Sequence, residues 1–346
     1  MNKSIYFPPE WNTQGAVQLT WPHVYSDWHY MLEEVSECFL NIAHEILKRQ
    51  DLVVVCHSEA SIKYRLEQHK DYQGRLILVE IKSNDTWNRD HGGISVTIDG
   101  KPCLYDFTFN GWGLKFAANY DNLINRKLFK KNIFNPSVTL LNKKDFVLEG
   151  GAIETDGKGT LLTTSACLLS PNRNSHMSKD EIEDYLKIAF GLDRVLWLDY
   201  GYLTGDDTDS HIDTLARFCD EHTIAYVKCD DKEDEHYDEL AKMEKQLKGF
   251  VDIEGNPYKL VPLPMAAPAF DEDNERLPAT YANFLIINGA VLMPTYNNKE
   301  KDDLAMEQLR SIFPDREIVG INCLSLIKQH GSLHCVTMQF PEGYFK

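Results

Sequence analysis

The segment DLVVVC, residues 51–56, places five apolar residues in a row after an aspartate and predicts a strand that is buried on both faces. Before it, apolar residues recur at helical spacing over 28–49, which predicts an amphipathic helix. A second helix over 58–69 and a strand over 75–81 are predicted after it. Helix, strand, helix and strand in this order form a βαβ unit, so the segment indicates an α/β fold.

Similar modules recur along the chain. The helix predicted over 177–190 has a capping box of Ser178 and Glu181, ends at Gly191 and leads into a strand over 194–198. The remaining predicted elements are a helix over 233–247, a strand over 258–263, a loop over 264–278, strands over 281–287 and 290–294 joined by Asn288-Gly289, a helix over 302–312 and a strand over 317–321. About five modules can be counted, which favours a closed, propeller-like domain, although a doubly wound open sheet predicts similar strings.

The composition excludes several classes of protein. With 43% hydrophobic residues the chain is not disordered, and no apolar run approaches the about 20 residues that span a bilayer. A net charge of −17 argues against a nucleic-acid partner, since phosphate binding needs clustered Lys and Arg. The N-terminal residues carry no apolar run and two early prolines, so we expect a cytoplasmic protein. The eight cysteines form no CxxC pair, which predicts reduced thiols.

A candidate nucleophile lies near the end of the chain, in GSLHCVTMQFP, residues 331–341. Cys335 follows a Gly-Ser turn and opens a β-branched run, which predicts a junction between loop and strand where a thiol can face a cleft. The ordinary alternative is that Cys335, one of eight cysteines, is a small buried apolar side chain.

The segment DDTDSHID, residues 206–213, combines an imidazole with several carboxylates. In an extended segment His211 and Asp213 point to the same face, which suits a proton carrier beside an acid that binds a cation. Alternatively, Asp209 or Ser210 caps a helix that begins here. A calcium loop is not favoured, because the glycine and distal glutamate of an EF-hand are missing.

The segment DTWNRD, residues 85–90, indicates a slot for a guanidinium. A flat cation is attracted to the face of an indole such as Trp87 and is bound by a carboxylate such as Asp90. The alternative is that Arg89 pairs internally with Asp90 or Asp85 and that Trp87 is an ordinary core side chain. Glu149, before two glycines, places a further carboxylate where the backbone turns or approaches closely.

Two other ligand classes are not supported by the sequence. The GKGT segment, residues 157–160, lacks the first glycine and the Ser or Thr of a phosphate-binding loop and is better explained as a hairpin turn. His330 and His334 have the spacing of a metal-binding pair, but the Gly-Ser between them disfavours a helix.

Taken in order, the motifs resemble the agmatine deiminase group of the Porphyromonas-type peptidylarginine deiminase family, within the guanidino-group-modifying (pentein) superfamily. The matching stretches are 8–11 (PPEW), 20–22 (TWP), 85–90 (DTWNRD), 149–151 (EGG), 160–164 (TLLTT), 172–174 (NRN), 206–213 (DDTDSHID), 281–284 (YANF) and 333–337 (LHCVT). The resemblance implies an α/β pentein fold of five ββαβ-type modules around a pseudo-fivefold axis, in a single catalytic domain over 1–346.

The resemblance also implies roles for particular residues. Cys335 matches the nucleophile, His211 the general acid and base, and Asp90 and Asp213 the carboxylates that grip the guanidinium. The residues that match the surrounding substrate-binding pocket are Trp87, Glu149, Asp207 and Asn283.

The implied activity is hydrolysis of agmatine to N-carbamoylputrescine and ammonia through a covalent thiouronium on the cysteine, with no metal and no organic cofactor. The segments HGG (91–93) and GSL (331–333) depart from the family pattern and leave substrate choice open. Peptidylarginine or free arginine are alternative substrates of the same chemistry, a cysteine hydrolase of amides is a second alternative, and a non-catalytic guanidine binder is a third. We expect a small cationic substrate and no membrane partner, and the sequence is compatible with a homo-oligomer.

Overall fold

The structure, a computed structural model, describes residues 4–67 and 71–346, without the side chain of Ser61. It has a mixed α/β fold. The strands are β1 Ile5–Tyr6, β2 Gln14–Thr20, β3 Asp51–Cys56, β4 Leu76–Glu80, β5 Ile94–Ile98, β6 Lys101–Thr108, β7 Thr139–Val147, β8 Ile153–Thr155, β9 Thr160–Thr164, β10 Arg194–Leu198, β11 Ala216–Phe218, β12 Thr223–Lys228, β13 Lys259–Pro264, β14 Ala269–Phe270, β15 Arg276–Leu277, β16 Leu285–Ile287, β17 Ala290–Thr295, β18 Glu317–Asn322 and β19 Thr337–Pro341. The helices are α1 Leu32–Leu47, α2 Glu59–Leu66, α3 Asn88–His91, α4 Gly111–Leu114, α5 Ile124–Lys130, α6 Ser165–Leu168, α7 Lys179–Phe190, α8 Tyr237–Leu247, α9 Lys299–Ile312 and α10 Leu324–Ile327.

One structural unit recurs in five sheets. In four of them an antiparallel hairpin is followed by a helix and then by a strand parallel to the second hairpin strand: β5-β6-α5-β7, β8-β9-α7-β10, β11-β12-α8-β13 and β16-β17-α9-β18. In the fifth, β19 from the end of the chain pairs antiparallel with β2, and β3 and β4 extend the sheet in parallel. The small hairpin β14-β15 is a separate sheet. The sequence modules therefore correspond to real units of the α/β fold.

The first predicted module is confirmed, with small shifts at its ends. Strand β3 has the predicted bounds, and β4 lies within the predicted strand. Helix α1 begins at Leu32, four residues later than predicted, because Trp28 is held in a turn where its indole N–H donates to Asp85 (2.9 Å) and Thr86 (3.1 Å). The helix predicted over 58–69 is observed as α2, and positions 68 and 69 lie outside the described residues.

The capping signals of α7 are confirmed. The Ser178 side chain accepts from the backbone N–H of Glu181, and the Glu181 carboxylate accepts from the backbone N–H of Ser178 at 2.7 Å. Gly191 ends the helix with φ 68°, a left-handed conformation that glycine adopts without steric cost. The two predicted hairpin turns also form, between β8 and β9 and between β16 and β17.

Three predictions in the second half of the chain were partly wrong. Helix α8 begins at Tyr237, not Glu233, because Asp234 accepts from the backbone N–H of His236 and binds Arg276. The strand predicted over 281–287 is limited to β16, since the backbone carbonyl oxygens of Ala282 and Phe284 accept hydrogen bonds from the Arg217 side chain instead of from a neighbouring strand. The predicted loop over 264–278 contains the β14-β15 hairpin.

Most of the core lies between the sheets and the helices that pack on them. Phe39, Ile42 and Ile46 of α1 are fully buried against the sheet that contains β2 and β3. This packing, and not helix propensity, stabilises such an amphipathic helix. Within the described ranges, none of the helices has the length and apolar character needed to cross a membrane.

Gly191 and Gly255 both have a positive φ, but only Gly191 lies close to another segment. Substituting each by alanine therefore distinguishes the energetic cost of the close contact from that of the left-handed φ. An added Cβ at Gly191 would lie 2.4 Å from the carbonyl oxygen of Ile5, whereas at Gly255 (φ 89°) it would meet nothing within 4 Å. We expect Gly255→Ala to lower the free energy of unfolding by about 1–2 kcal/mol and Gly191→Ala to lower it by about 1–3 kcal/mol more. Urea unfolding of both variants checks this, and equal losses would contradict the close approach.

Candidate active site

Three turns, α3, Gly150–Ala152 and Ile212–Thr214, bring together three of the predicted site residues: Asp90, His211 and Asp213. Their backbones approach so closely that Gly151 has no room for a side chain. A Cβ there would lie 2.6 Å from Nδ1 of His211, 2.9 Å from Oδ1 of Asp90 and close to the Asp213 carboxylate. The glycine is therefore required by the proximity of these three polar side chains, which the sequence showed only as separate motifs.

Asp90 is buried at the centre of this arrangement. Its Oδ2 accepts from the indole N–H of Trp112 at 3.0 Å, and its Oδ1 accepts from the backbone N–H of Gly151 at 3.1 Å and lies 3.6 Å from Nδ1 of His211. Burial and the charge of Asp213 raise the pKa of Asp90 well above its ordinary value. The alternative in which Arg89 pairs with Asp90 or Asp85 was wrong, because Nη2 of Arg89 lies 3.6 Å from Oε2 of Glu10 instead.

Only one of the two carboxylate oxygens of Asp213 has a hydrogen-bond partner among the described residues. Oδ2 lies 2.7 Å from Nδ1 of His334, while Oδ1 is buried and has no hydrogen-bond partner among the described residues. Burial alone would raise the pKa of Asp213, but the hydrogen bond with His334 and the nearby positive charge of Arg217 lower it below its ordinary value. Asp213 is thus an ionised acid with a free oxygen.

His211 is buried, and neither of its ring nitrogens has a hydrogen-bond partner among the described residues. Burial lowers the pKa of His211 to about 3, so its imidazole is neutral at pH 7 and can accept a proton. The predicted helix cap at Asp209 or Ser210 was wrong, because only the three-residue turn Ile212–Thr214 follows His211. Asp209 binds Arg173 and Lys115 instead.

Cys335 lies in a turn two residues before β19, close to the predicted junction. Its Sγ is 3.3 Å from Oδ1 of Asn283, and the same oxygen accepts from the backbone N–H groups of His334 (2.8 Å) and Cys335 (3.2 Å). Asn283 therefore fixes the turn that carries the thiol. Burial and the charges of Asp213 and Asp90 raise the pKa of Cys335 well above that of an ordinary thiol.

A cavity of about 110 Å³ opens onto the thiol. Of the eight predicted site residues, four line it: Trp87, Asp90, Asp207 and Cys335. The other four, His211, Asp213, Glu149 and Asn283, are fully buried behind this lining. Sequence reasoning missed Trp112, which lines the cavity; the Gly-Trp-Gly segment was its only signal, and it places Trp112 at φ 54° between two glycines that also have positive φ.

Glu149 belongs to a buried ion pair. Both carboxylate oxygens accept from Nε of Arg173, at 3.0 and 3.1 Å, and neither side chain is exposed. Glu149, Cys167 and His211 have potential metal-ligand atoms within 4.8 Å of one another. However, Arg173 already neutralises Glu149, and burial raises the pKa of Cys167 well above its ordinary value, so these residues are poorly suited to a cation.

The mouth of the cavity is acidic. Asp27, Asp85 and Asp207 line it, together with His330, whose Nδ1 lies 2.7 Å from the carbonyl oxygen of Gly205. Neither lysine nor arginine is among the described residues that line the cavity. Burial raises the pKa of Asp207 to about 6. His330 and His334 do not form a metal pair, since His334 binds Asp213 and Glu10.

The sequence profile of the Porphyromonas-type peptidyl-arginine deiminase family matches residues 6–341, nearly the whole chain. The chain belongs to this family. A Porphyromonas gingivalis protein provisionally named arginine deiminase is 55% identical, with a TM-score of 0.94 and coverage of 99% of this chain and 100% of that one. A cysteine-to-serine variant of C. jejuni agmatine deiminase with substrate bound is 39% identical, with a TM-score of 0.91 and coverage of 99% and 97%. Agmatine deiminase of Medicago truncatula is 31% identical over 364 residues, covering 97% of this chain and 96% of that protein.

The Glu149–Arg173 pair gives a stability test for this deiminase-family chain. We expect Arg173→Gln to lower the free energy of unfolding by about 3–5 kcal/mol, because it leaves a carboxylate buried without its cation. The control is Lys187→Gln, which breaks a pair with Glu183 in which both side chains are partly exposed and should cost less than about 1 kcal/mol. Chemical unfolding of both variants measures the loss in the free energy of unfolding. Similar losses would contradict the idea that the burial of Glu149 makes Arg173→Gln costly.

Proposed function

We propose that this protein is an agmatine deiminase, which hydrolyses agmatine to N-carbamoylputrescine and ammonia. The observation that carries the proposal is that one thiol, Cys335, lines the same cavity as the buried carboxylate of Asp90, and that the buried Asp213 lies close to Asp90 at the Gly151 turn. In the proposed complex the two acids hold the guanidinium with its central carbon beside the sulfur. An amide has no positive charge for the second acid to bind, so this arrangement does not favour an amidase.

The guanidinium-binding groups differ in their charge state. Asp213 is ionised and presents Oδ1, which has no other hydrogen-bond partner among the described residues. Asp90 loses its proton more readily once a cation lies beside it, because the cation offsets the burial that raises its pKa. The indoles of Trp87 and Trp112 line the same cavity and suit the flat face of the guanidinium.

The proposed reaction uses Cys335 and His211 in turn. Binding of the cation lowers the pKa of the thiol, and neutral His211 accepts its proton as the sulfur attacks the guanidinium carbon. The imidazolium then donates this proton to the departing nitrogen, ammonia leaves and an S-alkyl thiouronium remains on Cys335. Neutral His211 next removes a proton from water, which attacks the same carbon. As the C–S bond breaks, the imidazolium returns this proton to the sulfur and restores the thiol, and the hydroxyl proton of the adduct passes to the released ammonia, which leaves the carbamoyl product. No step requires a metal or an organic cofactor.

The acidic mouth favours agmatine over arginine. Agmatine ends in an ammonium, which suits Asp27, Asp85 and Asp207, whereas the carboxylate of arginine would lie near these acids without a lining Lys or Arg as its partner. The C. jejuni and Medicago truncatula relatives named agmatine deiminase support this choice. Free arginine is the second candidate, because the 55%-identical P. gingivalis protein is provisionally named arginine deiminase.

We also propose that the five sheets surround a pseudo-fivefold axis in a single catalytic domain over 1–346, as in a pentein. The fivefold recurrence of one unit supports this arrangement, as does the meeting of residues from separate units at Cys335. A cytoplasmic location, a homo-oligomer and the absence of a nucleic-acid partner stay predictions.

Ammonia release from three substrates tests the proposed function. We expect kcat/KM for agmatine to exceed the values for free arginine and for an arginine peptide by at least about tenfold, because burying an unpaired carboxylate costs about 1 kcal/mol or more. Cys335→Ser is the control and should lose turnover by more than about a thousandfold while still binding agmatine in calorimetry. A higher kcat/KM for arginine than for agmatine would make arginine the preferred substrate. If none of the three compounds released ammonia, the deiminase activity itself would be refuted.

The close approach at Gly151 gives an independent test. Gly151→Ala should lower kcat/KM for agmatine by about a hundredfold, because the added methyl pushes apart His211, Asp90 and Asp213. Gly249→Ala is the control, since its nearest non-neighbouring atom is the Gln246 carbonyl oxygen at 3.3 Å. Steady-state kinetics and thermal unfolding of both variants separate lost geometry from lost fold, and wild-type kinetics for Gly151→Ala would contradict the geometry.

A further inference from the structure

His334 is held between two carboxylates. Its Nδ1 lies 2.7 Å from Oδ2 of Asp213, and its Nε2 lies 2.7 Å from Oε2 of Glu10. Glu10 comes from the PPEW segment near the start of the chain, for which the proposed reaction has no role, and it is 7% exposed. A chain of three side chains therefore links the N-terminal segment to an acid of the active site.

Other charges face this chain from each neighbouring segment. Nη2 of Arg217 lies 3.0 Å from Oε1 of Glu10 and 3.1 Å from Nε2 of His334, and Arg217 also binds Glu154. Nη2 of Arg89 lies 3.6 Å from Glu10. On the active-site side, His211 and Asp90 lie near Asp213.

The geometry fixes the orientation of the His334 ring. Its two nitrogens each lie 2.7 Å from a carboxylate oxygen, so the ring is clamped between Asp213 and Glu10. The guanidinium groups of Arg89 and Arg217 lie against Glu10. Burial alone would raise the pKa of Glu10, but Arg217, His334 and Arg89 lower it well below its usual range.

We propose that Glu10 is a positioning residue of the deiminase: it holds the His334 ring in place, and His334 in turn holds Asp213 with Oδ1 turned toward the guanidinium. The proposal rests on the proposed function, because it assigns Asp213 to the substrate. It adds a residue that touches neither the substrate nor Cys335.

Removal of the Glu10 charge should act on Asp213 in a defined direction. With a neutral group beside Nε2, the His334 ring is held less firmly, and its hydrogen bond to Asp213, which lowers the pKa of Asp213, becomes weaker. Asp213 then takes up a proton at a higher pH than in the wild type. The acidic limb of kcat/KM should therefore move to higher pH, and binding of the guanidinium should weaken.

The variant is Glu10→Gln, which keeps the size of the side chain and an oxygen that can still accept from the backbone N–H of Ile286 (2.7 Å). Glu154→Gln is the matched control, since it also removes a buried carboxylate bound to Arg217 but does not touch His334. For agmatine, we expect Glu10→Gln to lower kcat/KM by about 10- to 100-fold, mostly through KM. Its acidic limb should rise by about half a pH unit or more, while Glu154→Gln keeps the wild-type limb.

If Glu10→Gln folds poorly, two further measurements test the role of Glu10: rescue by Glu10→Asp and calorimetric binding of agmatine. Glu10→Asp retains the charge and should keep the acidic limb near that of the wild type, even if its stability falls. Calorimetry of agmatine with Cys335→Ser, alone and combined with Glu10→Asp or Glu10→Gln, isolates binding from chemistry. A wild-type limb in Glu10→Gln, equal shifts in Glu10→Gln and Glu154→Gln, or a limb shift in Glu10→Asp as large as that of Glu10→Gln would overturn the role of Glu10. An inactive wild type would instead refute the proposed function itself.

Discussion

The hydrogen bonds of the fully buried Arg217 guanidinium are the interactions on which the rest of the structure depends. The guanidinium pairs with Glu154 through Nε, donates through Nη1 to the carbonyl oxygens of Ala282 and Phe284, and binds Glu10 through Nη2. A charge removed from water is costly unless every donor is satisfied. The segments that supply these acceptors come from distant parts of the chain. If they did not meet in this arrangement, the buried charge of Arg217 would lack its partners. The ion cluster thus constrains how the sheets converge.

The same contacts reach the nucleophile through the backbone. Asn283 lies between the two residues whose carbonyl oxygens bind Arg217, and its side chain fixes the backbone N–H groups of His334 and Cys335. Any shift of Arg217 therefore moves the turn that carries the thiol. Rigid support of this kind is what a reaction needs when the sulfur and the guanidinium carbon must approach in one geometry.

Features with a local physical cause could be predicted from the sequence. Strand β3 follows from its apolar run, and the ends of α7 follow from the Ser178 capping box and Gly191. The site motifs were identified through resemblance, and the structure brings their residues together. What could not be predicted depends on contacts between segments far apart in the chain: nothing near Arg217 or Glu10 in the sequence shows that the two meet. The start of α8 was misplaced for the same reason, because Asp234 is held by Arg276 from another segment.

The charge balance of the cavity connects its structure to its chemistry. Burial raises the pKa of Asp90 and of Cys335, so without a cation these groups tend to keep their protons and the sulfur is a weak nucleophile. Asp213 is the exception, because its hydrogen bond with His334 lowers its pKa. In the proposed reaction a bound guanidinium supplies the positive charge that lets Asp90 and then the thiol ionise. Under this proposal reactivity depends on the substrate's own charge, and a neutral amide of the same size does not activate the sulfur.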